Sequence, residues 1–308
     1  MNYRYTLQSY SGIKSRFRCP NCHKTNKFSR YIDTETNEYI HEIVGRCNRE
    51  IKCGYHYTPK QYFGDHHFEV IPKRTKIIVS NIKENPTSTI QKAILTQSLK
   101  KDAPNNFLEY LGAIFDTETV NKLKTKYHIG TSKKWKGATV FWQMDCEGKI
   151  RSGKVMLYNV NTGKRIKKPY HHITWVHRIM KISNYTLKQC FFGEHLLKAT
   201  TNPIAIVESE KTAIIASVFL PEFTWIASGS LSNLNHEKTK ILKDRQVILF
   251  PDLGGYDKWK EKILKLCPDA DYQISDLLER KASDKQRELG LDVADYLLAL
   301  ELEKYVNN

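Results

Sequence analysis

Four cysteines close to the N-terminus restrict what this chain can fold into more than any other feature. Cys19-Pro-Asn-Cys22 is followed, 24 residues on, by Cys47-Asn-Arg-Glu-Ile-Lys-Cys53. Two cysteines spaced by two residues form a knuckle with both thiolates on one side of a tight turn. A second pair completes the tetrahedron that Zn²⁺ prefers. That second pair encloses five residues, a departure from the commoner two. Four thiolates leave no open coordination position, so the expected role is structural. Arg18, Arg46, Arg49 and Lys52 stand around the thiolates and offset their charge, and His23, His41 and His56 are the alternative ligands. Residues 31–34 and 39–41 carry the pattern of a β-hairpin. The competing reading is four unliganded core cysteines.

The other cysteines, Cys146, Cys190 and Cys267, lie singly beside apolar stretches and read as small core residues. Seven is an odd number, which argues against a disulfide framework. No apolar run approaches the ~18 residues of a membrane helix. The first residues, Met1-Asn2-Tyr3-Arg4-Tyr5, lack the apolar stretch of a signal peptide. The expected compartment is therefore cytoplasmic.

The net charge of +16 is unevenly spread. Residues 201–308 hold 14 Lys/Arg against 18 Asp/Glu, a net of −4, which leaves +20 for the first 200 residues. A basic front suits a polyanion and an acidic back suits a metal ion. Around the cysteines, Phe17, Arg18, Lys27, Phe28, Arg30, Tyr31, Tyr55, Tyr57 and Lys60 interleave rings with cations. Rings stack on bases while Lys and Arg follow phosphates, the combination that grips single-stranded nucleic acid. Scaffold aromatics of a small core explain the same residues.

Four regions are expected: a zinc β-ribbon over 1–64, a linker over 65–104, a mixed α+β basic region over 105–200 and a parallel-sheet domain over 201–308. In the linker, His66-His67, Pro72-Lys73-Arg74 and Asn85-Pro86 break up weak apolar segments, with a short strand at Ile77-Ile78-Val79. Asn105-Asn106 caps a helix that ends near Gly112, and a second helix runs from Thr117 to Lys126. Residues 138–143 are β-branched and aromatic, Glu147-Gly148-Lys149 reads as a hairpin turn, and residues 150–158 return. From 203 to 300, apolar runs at 204–207 and 247–250 alternate with helical spacing at 211–219 and 256–266. Such alternation implies an α/β, Rossmann-type parallel sheet inside a chain that is α+β overall.

Each of the two apolar runs ends at a carboxylate. Val207-Glu208-Ser-Glu-Lys211-Thr-Ala213 follows the first, and Leu249-Phe250-Pro251-Asp252-Leu-Gly254 follows the second. In an open α/β sheet that edge is where ligands bind. Adjacent strands would bring Glu208 and Asp252 together, and two carboxylates in one crevice repel unless a cation lies between them. Oxygen-only ligands suit Mg²⁺.

These two segments resemble the signature motifs of the Toprim family, which includes bacterial-type primases, topoisomerases and OLD-type nucleases. The first is closely similar to the Glu-Gly-Glu-Lys-Asp-Ala form of primase-like proteins from phages and mobile elements. A zinc ribbon upstream is the arrangement of bacterial-type primases. The likeness covers roughly residues 15–60 and 200–300, and extends to zinc-ribbon and Toprim proteins of Bacteroidetes mobile elements. The resemblance implies Glu208 as the residue that positions metal and acts as general acid or base, with Lys211 beside it. It implies Asp252 as a ligand of Mg²⁺ (or Mn²⁺). The family's next aspartate falls on Gly254, a departure for which Asp257 is either a substitute or a helix cap. Asp292 and Asp295 resemble a third acidic element of such domains, or are the wet face of a helix.

Between ribbon and sheet, Arg151 and Lys154, then Lys164 and Arg165, sit on strand edges joined by glycine turns. They are expected either to line a groove for template or triphosphate, or to form a solvated hairpin face. His171-His172 has no partner at metal spacing, and Trp175, His177 and Arg178 suit packing between subdomains. The leading expectation is a primase that makes short RNA primers on single-stranded DNA from ribonucleoside triphosphates. A separate replicative helicase would unwind the duplex, since no helicase motif is present. The alternatives are a non-catalytic single-stranded-DNA-binding replication or mobilisation factor, and a Toprim nuclease.

Overall fold

Alternating and β-branched segments form three four-stranded sheets among the described residues. The computed structural model describes residues 4–65, 87–100, 102–266 and 268–306. The short strand expected at Ile77-Ile78-Val79 and the core role expected of Cys267 lie outside them. The chain divides into two units, residues 1–83 and 84–308.

In the first unit, β1 (Tyr5–Leu7), β2 (Phe28–Asp33), β3 (Gly45–Cys47) and β4 (His56–Tyr57) pair antiparallel in chain order, and α1 (Pro59–Asp65) follows. The hairpin expected between 31–34 and 39–41 is reduced to one bridge, Ile32 to Tyr39. The regular partner of β2 is β3, with Phe28 opposite Cys47 and Arg30 opposite Gly45. Burial decides the difference. Cys47 and Phe28 are fully buried beside Cys19, and Gly45 has no space for a side chain against the Phe28 ring.

The second unit begins with α2 (Lys92–Leu99), α3 (Asn106–Gly112) and α4 (Thr117–Lys126). Asn105 caps α3 by accepting from the Leu108 amide at 3.2 Å, and Asp116 caps α4 through the Thr119 amide. Both helices start and stop where the side chains allow. An antiparallel sheet follows, of β5 (Ile129–Ser132), β6 (Ala138–Met144), β7 (Ile150–Met156) and β8 (Ile173–Trp175), ending in the short α5 (Val176–Ile179). Gly148 makes the β6–β7 turn at φ +78°.

Strands β9 (Ile204–Val207), β10 (Thr224–Ala227), β11 (Gln246–Leu249) and β12 (Asp271–Ile274) form a parallel sheet of order β10-β9-β11-β12. Helices α6 (Glu210–Phe219), α7 (His236–Thr239), α8 (Tyr256–Ile263), α9 (Leu277–Lys281), α10 (Asp284–Leu289) and α11 (Val293–Val306) connect and follow these strands. Strands β9 and β10 present buried apolar residues to both faces, as parallel strands covered by helices must, while β11 buries Val247 and Leu249 on one face. One apolar cluster joins Phe107, Tyr127 and Phe141 to Val207, Trp225 and Val293, so the 105–200 and 201–308 regions share a core.

Glu194, 6% exposed, opens the turn at Glu194–Ala199 and accepts the Phe191 amide at 3.0 Å. Burial pushes its carboxyl up to about 7, against that hydrogen bond. Between the ordinary value of 4.5 and about 7 the folded chain holds a proton that the unfolded chain has released. Stability from this group is thus full below pH 4.5 and is lost as pH rises through 7. Glu194→Gln is therefore expected to melt higher than wild type at pH 8 and close to it at pH 4.5 in parallel calorimetric scans. Equal shifts at both pH values contradict this.

Candidate functional site

The cysteine cluster is built by local geometry. The Cys19-to-Cys22 segment turns tightly, with the His23 amide donating to Cys19 O at 3.0 Å and His23 itself at φ +53°. β3 delivers Cys47, and the turn after it returns Cys53, whose amide donates to Arg49 O at 2.8 Å. All four Sγ atoms lie within 4.8 Å of one another, with Cys19 to Cys53 at 3.7 Å and Cys22 to Cys47 at 3.9 Å. Zn–S bonds of ~2.3 Å set the edge of a tetrahedron at ~3.8 Å, whereas a disulfide needs ~2.05 Å. The donor set fits zinc. Among the described residues it is the one group of three or more His, Cys, Asp or Glu side chains gathered this closely. Two of the histidine alternatives are engaged elsewhere: His56 hydrogen-bonds Tyr31 OH at 2.9 Å and His41 stacks on Tyr62. Hydrogen bonding from the Lys24 amide is the chief cause that brings the Cys22 thiol down to about 6, while burial pushes the Cys19 and Cys47 thiols up.

At the second site, β9 and β11 are hydrogen-bonded neighbours, with Val247 opposite Ile204 and Leu249 opposite Ile206. Glu208 and Asp252 therefore leave the same edge of the sheet. Glu208 is 8% exposed and immediately precedes Ser209, which caps α6 by accepting the Thr212 amide at 3.1 Å. Gly255 lets the two loops close: a side chain there would press on Asp252 O at 2.8 Å and on Glu208 Oε1 at 3.2 Å. Asp252 Oδ1 is shut off from solvent and has no hydrogen-bond partner among the described residues. The Asp252 carboxyl is held well above the carboxylate range, first by burial, then by the charges of Glu208, Asp292 and Asp295, with Lys211 opposing.

Asp292 and Asp295 arrive from the start of α11. Asp292 accepts from Thr212 Oγ1 at 2.8 Å and lies 3.6 Å from Lys211 Nζ, while Asp295 takes Lys211 Nζ at 3.0 Å. Burial lowers the Lys211 pKa, but these two carboxylates outweigh it and the net shift is upward. Lys211 is thus a charged tie between α6 and α11. Asp257 is exposed in the first turn of α8 and is not among the charges acting most strongly on Asp252. Gly254, where a second aspartate was expected, stands at φ +82° and donates its amide to Glu279 Oε1 at 2.8 Å. Glu279, from α9, was not foreseen, because no motif marks a carboxylate that arrives through packing.

The four basic candidates separate into two kinds. Lys154 is buried, bonding both oxygens of Glu210 at 3.0 and 3.1 Å and Gly229 O at 3.1 Å. Arg151 Nε lies 2.6 Å from Asp145, both partners nearly covered. Lys164 and Arg165 are exposed after the turn at Gly163. The first two hold the molecule together, and the second two face solvent. His172 packs against Trp135 and Tyr170, and His177 stacks on Tyr185.

Residues 3–68 match the family described as a zinc beta-ribbon finger, and residues 105–253 match a domain of unknown function, DUF6371. The second match holds both Glu208 and Asp252. No curated protein sequence matches the chain significantly. Among solved structures, the primase fragment of the bacteriophage T7 primase-helicase protein aligns over 89% of this chain and 98% of its own, at 14% identity and a TM-score of 0.37. The E. coli primase catalytic core aligns over 68% and 82%, at 12% identity and 0.38. A DnaG primase catalytic domain bound to single-stranded DNA aligns over 65% and 79%, at 10% and 0.39. At this level of similarity, function has to follow from the residues of this chain.

Elemental analysis is expected to find about one zinc per chain, lost in Cys47→Ser. Full zinc content in that variant contradicts a four-thiolate site. Lys154→Met is expected to cost about 3–5 kcal/mol in urea unfolding, because Glu210 is left charged and buried. Replacing both residues with Met should recover most of that loss.

Proposed function

We propose that this chain is a primase-like nucleotidyltransferase of the Toprim type. It makes short RNA primers on single-stranded DNA from ribonucleoside triphosphates, in the replication of a mobile element or phage. The observation that carries the reading is the meeting of Glu208 and Asp252 at the rim of adjacent parallel strands, with a shielded Asp252 oxygen that no donor among the described residues reaches. Such a pair is costly without a cation and fits one with oxygen ligands, Mg²⁺ or Mn²⁺. Glu208 and Asp252 would hold it, and Asp292 adds negative charge nearby. When bound, the ion supplies charge neutralisation for the phosphates of a nucleotide.

The chain's own groups do the remaining work. Lys211 and Thr212 tie Asp295 and Asp292 to α6, beside the acidic rim. Lys154 ties the antiparallel sheet to Glu210 at the start of α6, and Arg151 pairs with Asp145 inside the β6–β7 hairpin. Of the four basic candidates, Lys164 and Arg165 are left exposed to meet phosphate. Glu208, buried and just before α6, would take the proton of an attacking hydroxyl. The ribbon's rings and cations, among them Arg30 stacked 4.0 Å over Phe17, suit single-stranded template. Duplex unwinding falls to a separate helicase.

A second reading has its own support. Gly254 replaces an expected ligand, and the acidic oxygens are not gathered as tightly as the four thiolates. On that reading the chain binds single-stranded DNA without chemistry.

Primer synthesis on a single-stranded template with labelled ribonucleotides separates the two. Wild type is expected to yield Mg²⁺-dependent products that fall by about 100-fold or more in Glu208→Gln and Asp252→Asn, the scale of losing a key charge-stabilising group. Undiminished product from Glu208→Gln, or no product from wild type with either Mg²⁺ or Mn²⁺, overturns the catalytic reading. In the latter case, template binding without synthesis supports the second.

A further inference from the structure

The antiparallel sheet has a face that the acidic site does not use. Side chains alternate along a strand, so Phe141 joins the core shared with the parallel sheet while Val140 and Trp142 pack with Leu95 of α2 and Val176 of α5. On that outer side a groove of about 800 Å³ opens between α2, α5 and the sheet. Ile94, Val140 and Val176 line it, and Ile179 and Met180 continue it outward at 39% and 42% exposure. Singly scattered apolar residues are ordinary on a surface, but a contiguous concave set marks a binding site.

The charge around the groove selects an occupant. Lys100, Lys133 and Lys134 border it, all exposed, against one carboxylate, Asp102. None of these lysines is in an ion pair among the described residues, unlike Lys154, Lys211 or Lys240. The apolar part of the lining is aliphatic, with Gln97, Ser98, Thr131 and Ser132 between it and the lysines. Its one ring, Trp142, is 1% exposed and donates its indole N–H to Ser98 Oγ at 2.9 Å. A nucleic acid strand would find cations here but no ring to stack on. An amphipathic helix would fill the groove with apolar side chains and set carboxylates against the lysines.

We propose that this groove docks an acidic amphipathic helix of a partner protein, on the face of the sheet opposite to Lys154 and Glu210. Docking there leaves the acidic rim open, so partner binding and the proposed chemistry are separable.

Panning displayed random peptides of about 16 residues, long enough for four helical turns, against the full chain tests the proposal. Enriched sequences are expected to place apolar residues at i, i+3 or i+4, and i+7 with Asp or Glu beside them. By fluorescence anisotropy they should bind Lys133→Glu/Lys134→Glu, and separately Ile179→Asp, at least about tenfold more weakly than wild type. Glu208→Gln should bind them as wild type does. These variants alter exposed side chains, and an unchanged melting temperature separates lost binding from lost fold. No enrichment, enrichment of basic or neutral sequences, or equal affinity for both surface variants overturns the proposal. So does an oligothymidylate that occupies the groove with the same losses.

Discussion

Two parallel strands, Ile204–Val207 and Gln246–Leu249, hydrogen-bond side by side with Val247 opposite Ile204, and this pairing places carboxylates 44 positions apart at one edge. The strands are too apolar to sit anywhere but inside. Ile204, Ile206, Val247 and Leu249 are all fully buried. Burial of these side chains therefore drives together two acidic groups that repel each other. The stabilisation comes from the apolar area, and the unfavourable electrostatics collect at the strand ends, where Asp252 is left with a shielded oxygen and a raised pKa. Repulsion of this kind falls when one carboxyl is protonated or a cation lies between the two.

Around that edge the basic residues divide their roles by depth. Lys211 ties α6 to α11, Lys154 ties the antiparallel sheet to Glu210 at the start of α6, and Arg151 locks the β6–β7 hairpin onto Asp145. Each sits low in exposure beside a carboxylate, because a desolvated cation needs an anion within reach. The large positive charge of the first 200 residues is thus partly internal. Exposed cations, Lys164, Arg165, Lys133 and Lys134 among them, are what a partner meets.

The first unit follows a different logic. Its buried apolar cluster among described residues is small, centred on Cys19, Phe28 and Cys47. A module with so little apolar interior relies on a metal to hold its loops, and the four thiolates are placed for that. Sulfur spacing near that of a tetrahedron, and far from that of a disulfide, fits the metal reading.

Much of this was legible in residue order. Local chemistry alone marked the cysteine knuckle, the Asn105 cap with the helix it starts, the helix from Thr117 to Lys126, the Gly148 turn, and β9 with Glu208 at its end. Each depends on groups within a few positions of one another. Contacts between distant segments were decided by the tertiary structure. The pattern of 39–41 matched a strand, yet β2 pairs with Gly45–Cys47 because Cys47 has to reach Cys19. Lys154 and Lys164 look alike in sequence, and only packing buries the first against Glu210 and leaves the second in water. Glu279 reaches Gly254, and Asp292 reaches Thr212, through folds of the chain that no spacing encodes. Periodicity and capping report on the backbone's nearest neighbours, whereas the depth and partner of a charge are set by everything that closes over it.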